Sequence, residues 1–429
     1  MTRWRSFAVK YIPFWLLLLS PLFLFPGRVK VLVLLALPVF CVLNKFETGH
    51  FIRRTPFDWV VFLLLVMVLV TEYATFDLNF TLPKLSGLLF HITIFYVVVE
   101  VVRTRQGLKH SLILFFLLGI IVSIVGLLGT DWLFKNEVIS NFLRKLPKVI
   151  QGLPGAETGI GPNELAGTLL WFFPLAFGIL MGKKNDEFYN GRFNLRAFLW
   201  LTFGVTIFVF VLTQSRGGWI GGVVALVFIG AVLNKTVRWL AGGATIALLG
   251  AVNYVGISTV KNLLVSDTVE GMVGNLGSLG FRMEVWRAAI WGIRDFPFTG
   301  MGLGTFRRVA RVLYPMNVSP TFEVPHAHQQ FLQVAVDLGI PGLVAYIALW
   351  IGVAYLLWYT WHTTTDGFIK SVTLGVSGSL LGFFMFGITD TIALGAKPGL
   401  FLWWLFAFGV GVYQHTLMEE RNHSENPHP

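Results

Sequence analysis

Apolar runs long enough, or nearly long enough, to cross a hydrocarbon core of about 30 Å recur along almost the whole chain, and they leave room for very few folds. They fall at roughly 11–25, 29–43, 58–72, 86–102, 110–128, 164–182, 197–213, 217–233, 238–256, 338–361, 370–391 and 398–414, and predict about twelve transmembrane helices. Inside lipid the backbone must satisfy its own hydrogen bonds, which leaves helices or closed barrels, and continuous apolar runs are helical. Composition agrees: 13% of the 429 residues are charged and 55% are hydrophobic, against about 25% charged in an ordinary soluble domain. The expectation is an all-α, polytopic membrane helix bundle. It forms one integral-membrane domain over residues 1–414, followed by a disordered tail over 415–429. The basic, apolar start lacks a small-residue cleavage site and reads as a retained first span. Cys41 is the only cysteine, so neither an intrachain disulfide nor a cysteine metal site is possible.

Loop charges set the orientation. Arg3, Arg5 and Lys10 precede the first run; Lys45, Arg53 and Arg54 follow the second, and Arg103, Arg105 and Lys109 the fourth. Lys183, Lys184, Arg192 and Arg196 follow the sixth, and Lys235 and Arg238 the eighth. With twelve spans all these loops share one side, which is then cytoplasmic together with both termini. The net charge of +11 is scattered between apolar runs and is no nucleic-acid footprint. The two longest connections, 129–163 and 257–337, then face away from the cytoplasm. Within the second, Phe281, Val285, Trp286, Ala289, Ile290 and Ile293 form an apolar stripe at helical spacing, which Phe296-Pro297 ends.

Of nine histidines, only His326 and His328 fall on the outer side, where a polar loop meets the bilayer. Histidine titrates near neutrality and suits a base that takes a proton from a hydroxyl. A helix-start histidine that only bonds backbone is the alternative. Arg216 lies in a tight connection between two spans, where Ser215 is placed to cap the following helix. Gly217 and Gly218 are expected to leave the first backbone amides open, and an arginine beside a helix N-terminus suits phosphate. Snorkelling to lipid headgroups is the competing role for Arg216. Arg282 is a second candidate, with Glu284 nearby as an ordinary surface partner, and Asp390 is placed to orient an imidazole. Lys145, Lys148, Arg287, Arg294, Arg307, Arg308 and Arg311 are further outward cations, for an anionic substrate or lipid headgroups.

Three stretches carry a resemblance: SRGGW at 215–219, FRMEVWRAAIWGIRDFPFTGMGLGTF at 281–306 and HQQFLQVAVDLGIPG at 328–342. The last reads as His, Gln, nine residues, then G-x-x-G. Together they resemble the O-antigen ligase and O-antigen polymerase superfamily, membrane glycosyltransferases that use undecaprenyl-diphosphate-linked glycans. GIGPNELAG at 159–167 is similar to the family's N-P-N-x-L-A element, with Gly161 where Asn is usual and Asn163 retained. The resemblance implies that Arg216 and Arg282 bind the donor diphosphate and that His328 activates the acceptor hydroxyl. His326, Gln329, Ser215 and Asn163 are candidate supports, and neither metal nor cofactor is implied.

The implied enzyme is an inverting, metal-independent glycosyltransferase of the bacterial cytoplasmic (inner) membrane with a periplasmic site. As an O-antigen ligase it would act in lipopolysaccharide biosynthesis, passing the glycan to lipid A core. A polymerase would extend a second lipid-linked glycan, and the shared motifs suit both. A protein O-glycosyltransferase is less favoured because no large C-terminal extension is present. A transporter or lipid-linked glycan flippase is the alternative from another class; it would show an internal repeat and midplane ionisable residues. No such repeat is found, and the ionisable candidates cluster at the outer rim.

Overall fold

The computed structural model describes residues 39, 42, 44–46, 49, 51, 53–147, 149–151, 159–182, 194–255, 279–317 and 324–425. The runs predicted at 11–25 and 29–43 lie outside or almost wholly outside them. The described helices are α1 (Asp58–Ala74), α2 (Leu78–Val101), α3 (Arg105–Gly129), α4 (Glu137–Leu143), α5 (Pro162–Leu169), α6 (Phe173–Met181) and α7 (Leu195–Leu212). They continue as α8 (Arg216–Leu233), α9 (Lys235–Val255), α10 (Leu279–Asp295), α11 (Phe306–Leu313), α12 (Gln330–Thr363), α13 (Gly367–Gly387) and α14 (Gly399–Glu425). Among the described residues there is no strand, only one isolated bridge between Thr130 and Ile160. Among the described residues, eight segments are long and apolar enough to cross a membrane: α2, α3, α5 with α6, α7, α8, α12, α13 and α14. The runs predicted at 58–72 and 238–256 also coincide with helices, α1 and α9.

Helix association within lipid gains little from hydrophobicity, so close packing and small residues must supply it. α13 is the hub, packing against α6, α8, α12 and α14. Its contact with α8 is a backbone contact: a Cβ on Gly221 would lie 2.4 Å from the Gly382 carbonyl oxygen. α14 fills the centre with a run of buried side chains from Leu400 to Phe408. Trp404 donates its indole N–H to Ser111 at 3.0 Å, so the buried polar edge of the ring is satisfied.

Several boundaries differ from the sequence reading, each for a local reason. α2 starts at Leu78 rather than near 86, because Asp77 caps it by accepting from the Phe80 amide at 3.1 Å and Pro83 is accommodated in its second turn. The run at 164–182 is broken between α5 and α6 just ahead of Pro174. The tail predicted to be disordered from 415 instead continues α14 to Glu425. It is anchored by His415 Nε2 against the Val102 carbonyl at 2.8 Å and by Thr364, whose hydroxyl donates to Glu419 at 2.5 Å.

α12 starts at Gln330, not near 338, and is kinked at Gly339, where φ is 70° and ψ is −179°. The kink docks on the turn that follows α10. Ile340 N–H donates to Pro297 O at 2.7 Å, Met301 N–H to Val336 O at 2.8 Å and Gly304 N–H to the Asp337 carboxylate at 2.9 Å. The predicted amphipathic helix is α10, with Phe281, Val285 and Ala289 buried in a satellite core shared with α11 and the first turns of α12, while Ile290 is 48% exposed. Kink and turn thus hold α10 beside the start of α12.

A Cβ at Gly339 would meet Pro297 O at 2.8 Å, on top of about 1–2 kcal/mol for a left-handed non-glycine residue. Gly339→Ala is expected to lower the thermal midpoint in detergent by several degrees. Gly204→Ala, in α7 with nothing within 4 Å of its new methyl, should raise it slightly, by about 0.5–1 kcal/mol. Equal midpoints for the two variants would contradict the docking account.

Candidate active site

Asp390, three residues past the end of α13, is 3% exposed and gathers groups from three other stretches of chain. Asn163, in the first turn of α5, donates to its Oδ2 at 2.8 Å, and the Thr391 amide donates to Oδ1 at 2.9 Å. His328 Nδ1 lies 3.4 Å and His326 Nε2 3.7 Å from Oδ1, and Arg282 Nη2 lies 4.0 Å from Oδ2. Burial works to raise the Asp390 pKa, but contact with His328 and the charges of His326 and Arg282 outweigh it and hold it at about 2. The carboxylate is therefore ionised.

The two histidines differ in their proton positions. The His328 amide donates to His326 Nδ1 at 3.2 Å, which leaves Nε2 of His326 to carry the ring proton towards Asp390. Burial, reinforced by the charge of His328, lowers the His326 pKa to about 3. His328 has φ of 49°, an uncommon conformation for a non-glycine residue that points to a functional constraint. Its carbonyl accepts from the Trp286 indole at 3.2 Å and its ring meets Phe281 edge-on at 5.4 Å. Neither ring nitrogen of His328 makes a hydrogen bond within the described residues. With Nδ1 turned to Asp390, Nε2 is left to take a proton from a hydroxyl.

Arg282 stands beside this pair, and two further cations, Arg216 and Lys135, act on it electrostatically or feel its charge. Burial lowers the Arg282 pKa, and Arg216 adds to that while Asp390 opposes it. The Lys135 pKa is lowered by burial, then by Arg216 and Arg282. Like charges held together in this way favour an anion that bridges them. Lys135 reaches the site through Gln214, whose carbonyl accepts from its Nζ at 3.2 Å and whose side chain accepts from the Asn136 amide at 2.8 Å. Gln214 takes φ of 51° to make this junction.

The structure thus brings Arg216, Arg282, His326, His328 and Asn163 into one neighbourhood and gives the other expected supports a different place. Ser215 caps α8, accepting from the Gly218 amide at 3.3 Å. Gly217 and Gly218, expected to leave amides open to a ligand, instead permit close packing. A Cβ on the first would lie 2.5 Å from Thr389 Oγ1 and on the second 2.9 Å from Ala166 Cβ. Gln329 caps α12, accepting from the Leu332 amide at 2.5 Å, while its neighbour Gln330 accepts from Thr391 at 2.8 Å and braces Asp390. Glu284, the expected surface partner of Arg282, pairs with Arg287. Lys135 and Gln330 escaped the sequence reading, since nothing in a loop lysine or a second glutamine marks its direction. His326, His328 and Asp390 place ligand-type atoms within 4.8 Å of one another, a spacing a metal could use. Arg282 lies against this cluster with Arg216 and Lys135 in its electrostatic reach, and that positive charge opposes a divalent cation.

Residues 197–347 match the family model described as O-antigen ligase. Over that stretch, about a third of its length, the chain is similar to the O-antigen ligase family. The matched stretch holds Arg216, Arg282, His326 and His328, whereas Lys135, Asn163 and Asp390 lie outside it. A search of curated proteins gives no match. That likeness and the apolar helices agree with a membrane protein of the ligase or polymerase type.

Because the folded His326 pKa, about 3, lies below its ordinary 6.5, the unfolded chain takes up that proton first. Stability then falls as pH drops from about 6.5 towards 3, by about 1–2 kcal/mol at pH 5 from this group. In thermal melts of the detergent-solubilised protein, His326→Asn is expected to show a smaller loss of midpoint between pH 7 and pH 5 than the unaltered chain. An equal loss would contradict the neutral assignment.

Proposed function

We propose that this protein transfers a glycan from undecaprenyl diphosphate to an acceptor hydroxyl at the extracytoplasmic face of the bacterial inner membrane. As an O-antigen ligase, it would take a lipid A core sugar as acceptor. The observation that carries this reading is the His328–Asp390 pair with Arg282 4.0 Å from its carboxylate, and Arg216 and Lys135 within electrostatic reach of Arg282. A base for a hydroxyl and a site for a diphosphate are the two things such a reaction requires.

His328 Nε2 takes the acceptor proton as the acceptor oxygen forms its bond to the anomeric carbon. The bond from that carbon to the diphosphate oxygen breaks, and the electron pair leaves with undecaprenyl diphosphate. Attack opposite the leaving group inverts the anomeric centre. The guanidinium groups and Lys135 neutralise the charge that builds on the diphosphate, a role that divalent metals fill elsewhere. Asp390 stabilises the imidazolium until the proton passes to water. The loop charges support both termini in the cytoplasm and this site on the opposite side.

Purified protein, supplied with undecaprenyl-diphosphate glycan and, separately, lipid A core or a second lipid-linked glycan, should glycosylate lipid A core. His328→Ala should reduce transfer by about 10²–10⁴-fold. Arg216→Ala and Arg282→Ala should each reduce it by about 10²-fold or more. Lengthened lipid-linked glycan in place of glycosylated core would make the protein a polymerase with the same site. Movement of the lipid-linked glycan between leaflets without any transfer would make it a flippase. EDTA is expected to leave the rate unchanged, and loss restored by a divalent metal would overturn the metal-independent reading.

A further inference from the structure

Away from the reacting groups, a groove of about 580 Å³ runs between α8 and α12 with α13 as its floor. Phe228 and Val232 form one wall, Trp350 and Trp358 the other, and Leu381 and Phe384 part of the floor. Its two hydroxyls bond within their own helix. Thr373 Oγ1 donates to Ile369 O at 2.7 Å and Ser377 Oγ to Thr373 O at 2.8 Å, so the surface offered to a ligand is mostly hydrocarbon and aromatic ring.

The ends of the three walls say what fits it. α8 begins at Arg216, α12 begins two residues after His328, and α13 ends three residues before Asp390. All three bounding helices therefore deliver a group of the candidate active site at the same end. The groove is joined to that site through Phe331, which packs on Phe384 at 5.7 Å and Trp350 at 6.5 Å. Phe331 follows Gln330, which holds Thr391 beside Asp390.

From Asp390 back to Thr373 on the groove floor is 17 residues, about 25 Å at helical rise. A fatty acyl chain anchored at one surface spans only its own leaflet, about 15 Å of the core. A ligand with its head at Arg216 and Arg282 that fills the groove must be longer than one leaflet. We infer that the groove between α8, α12 and α13 holds the polyprenyl chain of the donor, so that the protein selects its donor by tail length as well as by diphosphate. This rests on the polyprenyl-diphosphate reading above.

Ala354→Trp and Ser377→Phe fill the groove without touching the reacting groups. With a long-chain donor each should lower kcat/KM about tenfold, while with a donor of two or three isoprene units the change should stay below about twofold. Equal effects on both donors would overturn the inference while leaving the transfer reaction intact. In the unaltered protein, a polyprenyl diphosphate with a photoreactive group at its tail end should label peptides within 350–362 and 373–384. Labelling confined to other helices would overturn it. Failure of the unaltered protein to use either donor would sink the glycosyltransferase reading, and this inference with it.

Discussion

The buried carboxylate of Asp390 is the point on which the rest of the site depends. A charge in so enclosed a place is costly unless paired and hydrogen-bonded. It meets that cost with Asn163 from α5, the Thr391 amide, the two histidines ahead of α12 and Arg282 from α10. These partners come from α5, α10 and the loop ahead of α12, so compensating one charge fixes those three elements relative to the end of α13. The arrangement also separates the two histidines. His326 is held neutral by burial, with an amide donating to its Nδ1, and His328 keeps its ring nitrogens without a hydrogen-bond partner among the described residues.

The backbone supplies the second constraint. The kink at Gly339 and the turn from Pro297 to Gly304 exchange main-chain hydrogen bonds at distances that admit no side chain. That docking gives a physical reason for glycines which the sequence shows only as a spacing. It adds to the satellite core and the Trp286–His328 hydrogen bond in fixing Arg282 of α10 relative to His328. Thr71 of α1 ties the same kink to the bundle by donating to the Asp337 carbonyl at 2.5 Å.

Much of the bundle was legible because lipid restricts the choice so strongly. Apolar runs located α3, α7, α8 and α13 to within a few residues at most ends. Ends set by side chains were not legible from hydropathy: the Asp77 cap lengthened α2, and His415 and Glu419 held a polar tail in helical form. Arg216, Arg282 and His328 could be named from residue type and motif spacing. Their separation in sequence said nothing about Lys135, whose direction depends on the left-handed turn at Gln214. Gln329 and Gln330 illustrate the same limit. The two are chemically identical neighbours, and the helix start sends one to the backbone and the other to Thr391.

On the proposed reading, the helices that enclose the groove also present the reacting groups, so lipid recognition and chemistry share one rigid frame around α13. The central claim is that Asp390 acts through His328 and not by binding the donor. The most direct test measures donor affinity and single-turnover transfer together in Asp390→Asn. The account predicts donor binding unchanged or tighter, because Arg282 loses its carboxylate, with the transfer step slowed by about 10²-fold or more. Transfer at near the unaltered rate, or a loss traced wholly to weaker donor binding, would contradict it.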